Sequence, residues 1–209
     1  MADADRFGSA RRREVIEHLG LLEVLADEQA LAVRFQPSEK LLVVATDFRS
    51  PVGILLAEGV AGLMHGQVRL DIEEKYHYEK SQGAPLLVSY SYTISYMHEV
   101  MIDPKYLPRN AQGSWGELLL TQRKYFRFDG PEADWEGKDL AYRNRHPRHH
   151  VHAFTEEYLR VPATTAPSLL SVGAFGVLHF DHDRWLAAAR KHARVLEETK
   201  RLMPHVATI

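Results

Sequence analysis

The sequence predicts an α+β fold, a mainly antiparallel sheet flanked by N-terminal and C-terminal helices. Leu87 to Tyr96 (LVSYSYTISY) places Val88, Tyr90, Tyr92, Ile94 and Tyr96 on one side and Ser89, Ser91, Thr93 and Ser95 on the other. A period of two over that length is a strand signature. The loops between successive strand patterns are too short for crossover helices, which implies an antiparallel meander. Apolar stripes at helical spacing lie before and after this block.

In chain order, Ser9 is a candidate N-cap for a helix carrying Val15, Ile16 and Leu19, and Gly20 is its candidate end. Leu21 to Gln29 suggests a second short helix, Leu31 to Phe35 a strand, and Lys40 to Phe48 (KLLVVATDF) a buried strand. Pro51 suits a first helical turn and predicts a helix through Met64, ended by Gly66. Val68, Leu70 and Ile72 alternate with Arg69, Asp71 and Glu73 on the next strand. Glu117 to Asp129 is a further long strand, and Tyr158 to Val161 a short one that Pro162 ends. Ala166 to Leu178 follows as an apolar helix opened by TTAP. The last helix is expected from about Asp183 to Leu202, with Trp185, Leu186, Ala189, Ala193 and Leu196 as its buried stripe. Asp103 to Gly116 and Gly130 to Arg145 are the expected long loops. The chain thus divides into a helical part (1–66), a strand-rich core (67–165) and C-terminal helices (166–209) of one expected domain.

Hydrophobic residues make up 45% of the 209 and charged residues 26%, as in an ordinary globular protein. No cysteine is present, which excludes disulfides and cysteine-type zinc sites. No apolar run reaches the roughly 18 residues of a membrane span. The opening MADADRFGSARRR lacks the apolar segment of a secretory leader, so a cytoplasmic protein is expected. A net charge of -2 removes the global basic field of a nonspecific nucleic-acid binder and leaves only local patches. One is Arg11-Arg12-Arg13, read as a solvated helix face; the other is Arg143, Arg145 and Arg148.

That second patch surrounds the most informative stretch. YFRFDG at Tyr125 to Gly130 is followed by HPRHHVH, with His146, His149, His150 and His152 within seven residues. Strand alternation puts Phe126 and Phe128 on one face and Tyr125, Arg127 and Asp129 on the other. His150 and His152 share a face that His149 opposes. Neighbouring strands would bring Arg127, Asp129, His150 and His152 to one patch. Three readings stand open. Histidine can act as general acid or base near neutral pH while Arg127 grips phosphate and Asp129 orients an imidazole. His150 and His152 with Asp129 or His146 can instead hold a divalent metal, though nearby arginines disfavour a bare cation. The cluster can also be structural, its histidines satisfying backbone groups and Arg127 pairing with Asp129. Arg69, Glu73 and His77 form a secondary polar face, best read as a solvated edge. Tyr76, Tyr90, Tyr92 and Tyr96 can stack bases or, more often in such rows, face a core. His179 and His182 are read as capping or turn residues.

YSYTISY, YFRFDG and HPRHHVH together resemble the core of the small TumE-type toxins of bacterial toxin–antitoxin pairs. With Leu159-Arg160-Val161-Pro162 and the apolar helix behind it, the arrangement is also similar to an uncharacterised bacterial family with an FRFD segment and an Arg-x-Pro motif. The resemblance covers roughly Arg69 to Phe180. It implies Arg127, Asp129, His149, His150 and His152 as functional positions, with Arg160 further out. Tyr125, Arg148 and Arg160 are the candidate substrate contacts. The expectation is a toxin- or defence-associated protein, with an antitoxin or defence-system protein as partner. From the residue types it is nuclease-like, acts on RNA, and has no assigned cofactor beyond the divalent-metal alternative. The rival is a non-enzymatic partner-recognition module.

Overall fold

A computed structural model describes residues 2–24, 26, 28–46, 54–58, 67–78, 85–101, 118–131, 134–153, 160–163 and 165–206; for 2, 3, 28, 58, 97–101 and 118–125 only the backbone is described. The elements are α1 (Ala2–Gly20), β1 (Leu31–Gln36), β2 (Leu41–Thr46), β3 (Ile54–Glu58), β4 (Gln67–His77), β5 (Leu86–Met101), β6 (Leu118–Asp129), α2 (Leu140–Arg145), β7 (His150–Ala153), β8 (Arg160–Pro162), α3 (Leu169–Phe180), α4 (His182–Lys191) and α5 (Ala193–Leu202). The strands join one antiparallel sheet in the order β1-β2-β4-β5-β6-β7-β8, with β3 paired to β4 beside β2. This is the expected α+β architecture, with helices at both ends of the chain.

The N-terminal part is not the helical segment expected. Ile54–Glu58 is strand β3, where a helix from Pro51 to Met64 was predicted; 51–53 and 59–66 lie outside the described residues. A short apolar run such as ILLAE fits either element. Pairing decides it. β2 covers β4 only from Glu73 to His77, and β3 covers the remaining edge, from Glu58↔Gln67 to Ile54↔Leu70. The helix expected at Leu21 to Gln29 is a turn with Glu23 at φ 57, a bridge from Ala26 to Ile54 and a 3-10 turn at Glu28–Ala30. Ser9 lies exposed inside α1, which starts earlier.

Alternation sorts the sheet into two faces. Val68, Leu70, Ile72, Tyr90, Tyr92, Ile94, Tyr96, Phe126 and Phe128 are buried against the helices. The tyrosine row therefore faces the core, Tyr76 included. Helix α3 starts at Ser168, whose Oγ accepts from the Ser171 N–H at 3.0 Å, and not at the TTAP run. At Gly176 a Cβ would lie 2.6 Å from Leu56 Cδ1 and 3.0 Å from Ile94 Cδ1, so glycine lets the helix approach β3 and β5. Gly176→Val is expected to overpack this contact and cost about 1–3 kcal/mol, read as a lower urea midpoint.

The expected last helix is two, α4 and α5, broken at His192 in extended backbone (φ -132, ψ 100). The break changes the buried face: Ala193 is exposed, while Val195 and Thr199 are buried. Trp185 Nε1 donates to Thr199 Oγ1 at 3.0 Å and ties the halves together. His179 sits in the last turn of α3 against Phe126 and Phe175, and Asp181, not His182, caps α4. Gly130 to Arg145 holds a 3-10 turn at Trp135–Gly137 and α2, a helix with no buried residue and hence no apolar stripe to read. The other expected loop, Asp103 to Gly116, lies outside the described residues.

One buried polar group in the core escaped the sequence reading. Glu74 is fully buried and accepts from Arg11 Nε (2.8 Å) and Nη2 (2.5 Å), Tyr76 OH (2.6 Å) and Tyr92 OH (2.7 Å). Arg11 is therefore an anchor of α1 on the sheet and not part of a solvated face.

Candidate functional site

β6 and β7 are antiparallel neighbours, with Arg127 opposite His152 and Asp129 opposite His150. The sequence left that pairing as an assumption. The register carries Asp129 across to Ser91 on β5, and His152 across to Arg160 on β8. These side chains lie on the sheet face turned away from Phe126 and Phe128. His150 is 6% and His152 4% exposed, whereas Arg127 and Asp129 keep part of their surface.

The contacts are close. Asp129 Oδ1 accepts from Ser91 Oγ at 2.8 Å, and Oδ2 accepts from Arg127 Nε at 2.7 Å. His152 Nε2 is 3.2 Å from Asp129 Oδ2, 3.1 Å from Arg127 Nη2 and 3.1 Å from His150 Nε2. His150 Nε2 stands 3.8 Å from the same Oδ2. The carbonyl of Pro147, 2.8 Å from His150 Nδ1, can only accept, so that nitrogen carries the proton and Nε2 keeps a lone pair. His152 Nδ1 is buried without a hydrogen-bond partner among the described residues. Burial pushes both imidazole pKa values below the ordinary value; the Arg127 charge adds to the fall and the Asp129 charge opposes it. Burial thus favours the uncharged form of each ring.

The four groups stand at the foot of a cleft of about 600 Å³. Lys75, Ser89 and Arg160 line it, with Gln36 at the end of β1 and Glu39 from the turn that follows. The Arg160 Nε is buried with no hydrogen-bond partner among the described residues. Arg127 is held by Asp129 and His152, so Arg160 is the arginine less committed to the cluster.

Other predicted positions lie apart. His149 turns the opposite way, hydrogen-bonded through Nδ1 to Tyr90 OH (3.1 Å) and stacked on that ring. Burial lowers its pKa too, as do the nearby Arg148 and His150 charges. Gly130 passes so close to Tyr90 that a Cβ would lie 2.5 Å from the ring. His146 stacks on Tyr142 at the end of α2 and is no member of the cluster. Arg148 pairs with Glu136 at 2.9 Å and lies over Trp135, in a neighbouring cavity. The Tyr125 side chain lies outside the described residues. Glu73 is exposed and paired with Lys75 at 2.9 Å, a solvated position, but it lies on an interior strand between β2 and β5 and not on the edge expected. Sequence reasoning missed Ser91, the Pro147 carbonyl and the β1–β2 turn: register brings Ser91 to Asp129, and the Pro147 carbonyl meets His150 through the backbone path three residues before it.

Chemically, one carboxylate oxygen and two imidazole nitrogens converge at this point and offer a proton acceptor or a three-donor set for a metal. The two Nε2 atoms touch. They cannot stand on opposite sides of a phosphorus atom as separate acid and base, so they form one proton-handling unit. Among the described residues, no helix is long and apolar enough to cross a membrane. No family model, curated protein or solved structure matches the chain.

Proposed function

We propose that the cleft is the active site of a nuclease-like protein that cleaves RNA in the cytoplasm, as a toxin or defence factor held in check by an antitoxin or defence-system partner. The observation that carries this is the convergence of two buried imidazoles and a carboxylate below a cleft bordered by Arg160 and Lys75. Arg160, joined by Arg127, holds the non-bridging phosphate oxygens. His152 accepts a proton from water as that water's oxygen bonds to phosphorus. The ester P–O bond breaks, and the leaving oxygen takes a proton from solvent in the open cleft. Asp129 orients His152 and stabilises it once protonated.

The test incubates the purified full chain with end-labelled single-stranded RNA and with DNA of the same sequence. RNA scission is expected, slowed about 100-fold or more in His152→Ala and unchanged in His182→Ala, a substitution at an exposed site. Absence of scission, or full activity in a folded His152→Ala variant, would sink the proposal.

One observation favours a second reading, a partner-recognition module. Leu86 and Leu87 are exposed beside the cavity that Trp135 and Arg148 line. A module of this kind would co-purify with a protein partner, lose it in Leu86→Asp, and cut no nucleic acid.

A further inference from the structure

We infer that Asp129 Oδ2, His150 Nε2 and His152 Nε2 form the protein face of a divalent-cation site selective for zinc-like ions over calcium or magnesium. It shares the cleft with the cleavage reading and rests on that reading only for its part in catalysis.

The three atoms are separated by 3.1, 3.2 and 3.8 Å. Ligands about 2.1 Å from one ion lie roughly 3 Å apart at right angles and roughly 3.4 Å apart at the tetrahedral angle. The triangle is thus the size of a coordination face. Its donors are also pre-aimed. The Pro147 carbonyl fixes the His150 tautomer that leaves Nε2 free to ligate, and Ser91 holds the other oxygen of Asp129.

Without a cation the cluster contains a conflict. If His152 Nε2 bears a hydrogen, it faces the Arg127 Nη2 donor. If it bears a lone pair, it faces the lone pairs of Asp129 Oδ2 and His150 Nε2. Either tautomer leaves like against like. A cation resolves the conflict by accepting all three lone pairs. Arg127 then yields its contacts and turns into the cleft toward an anion, for which its partly exposed side chain has room. Two imidazoles and one carboxylate suit zinc, cobalt, manganese or iron, and three protein ligands leave positions open, as in catalytic sites. With the ion bound, His152 Nε2 is a ligand and not the proton acceptor; the ion would instead lower the pKa of a bound water and polarise a phosphate ester.

Tag-free, chelator-stripped full-length protein is titrated with Co²⁺, followed by its visible d–d absorbance, and then with Zn²⁺ as competitor. Saturation at one equivalent and displacement by Zn²⁺ are expected. The band is lost in His152→Gln and Asp129→Ala and kept in His146→Ala and His182→Ala. Circular dichroism checks each fold, and the wild-type titration needs no variant. A wild type that fails to saturate at one equivalent, or folded Asp129→Ala and His152→Gln variants that bind as it does, overturns the site. RNA scission by stripped protein that binds no Co²⁺ removes the metal and leaves the cleavage. Binding at one equivalent without RNA scission keeps the metal and removes the cleavage.

Discussion

Glu74→Ala is expected to lower stability by about 3–5 kcal/mol, enough to leave a domain of ordinary stability largely unfolded. The substitution removes the acceptor of four hydrogen bonds. It strands the Arg11 guanidinium, 14% exposed, and the hydroxyls of Tyr76 and Tyr92 inside the core. Among the described residues, Arg11 then keeps as ion-pair partner the half-exposed Glu14. The double variant Glu74→Leu with Arg11→Met leaves no unpaired charge between α1 and β4, so it should lose less than the two single changes added together. Acid reports the same group. Burial opposes its charge, but the hydrogen bonds and charge of Arg11 prevail and hold the Glu74 carboxyl below its ordinary value. Its stabilisation is therefore fully present above the ordinary carboxylate range and is lost as pH falls through the lower folded value. Glu74→Gln removes that acid dependence. Denaturant midpoints measured from neutral pH down to about pH 3 check both the size and the sign; a midpoint equal to the wild type's in Glu74→Ala would show that α1 does not depend on this anchor.

Period-two reasoning reached far into the site and then stopped for an identifiable reason. It placed Arg127 with Asp129, and His150 with His152, because side-chain direction within one strand is local. It could not join the pairs, since register between strands separated by a long polar segment follows from turn geometry and packing. Ser91 stood in plain view on the polar side of β5, yet only the register at Asp129 gives it a task. Glu74 and Arg11 were hidden more deeply. A hydrophobic pattern reads any charge as solvent-facing, and a buried ion pair looks like two surface residues until the helix meets the sheet. β3 and the His192 break failed for a third reason: short apolar runs and long amphipathic ones fit more than one path, and tertiary pairing chooses among them.

Asp129→Asn is expected to reduce RNA cleavage by about 10²- to 10⁴-fold with no rise in KM. Asparagine keeps the shape of the side chain and loses both the charge and one acceptor. In the native cluster Oδ1 accepts from Ser91 while Oδ2 meets Arg127 and His152. An amide has one oxygen for these demands. Turned toward Ser91, it sets its NH2 against the Arg127 donors; turned toward Arg127, it presents its NH2 to Ser91, whose hydroxyl must then accept instead of donate. In either orientation the charge that favours protonated His152 is gone, although that is the state a general base must reach. Arg127 is meanwhile released toward the cleft, so phosphate binding is preserved or improved, and the loss falls on kcat. Ser91→Ala removes one neutral donor to the same carboxylate and should cost roughly tenfold or less. A fall in kcat at unchanged KM, large for Asp129→Asn and small for Ser91→Ala, marks Asp129 as the group that orients the base. Equal and small effects from the two variants would instead make the carboxylate a structural partner of Arg127.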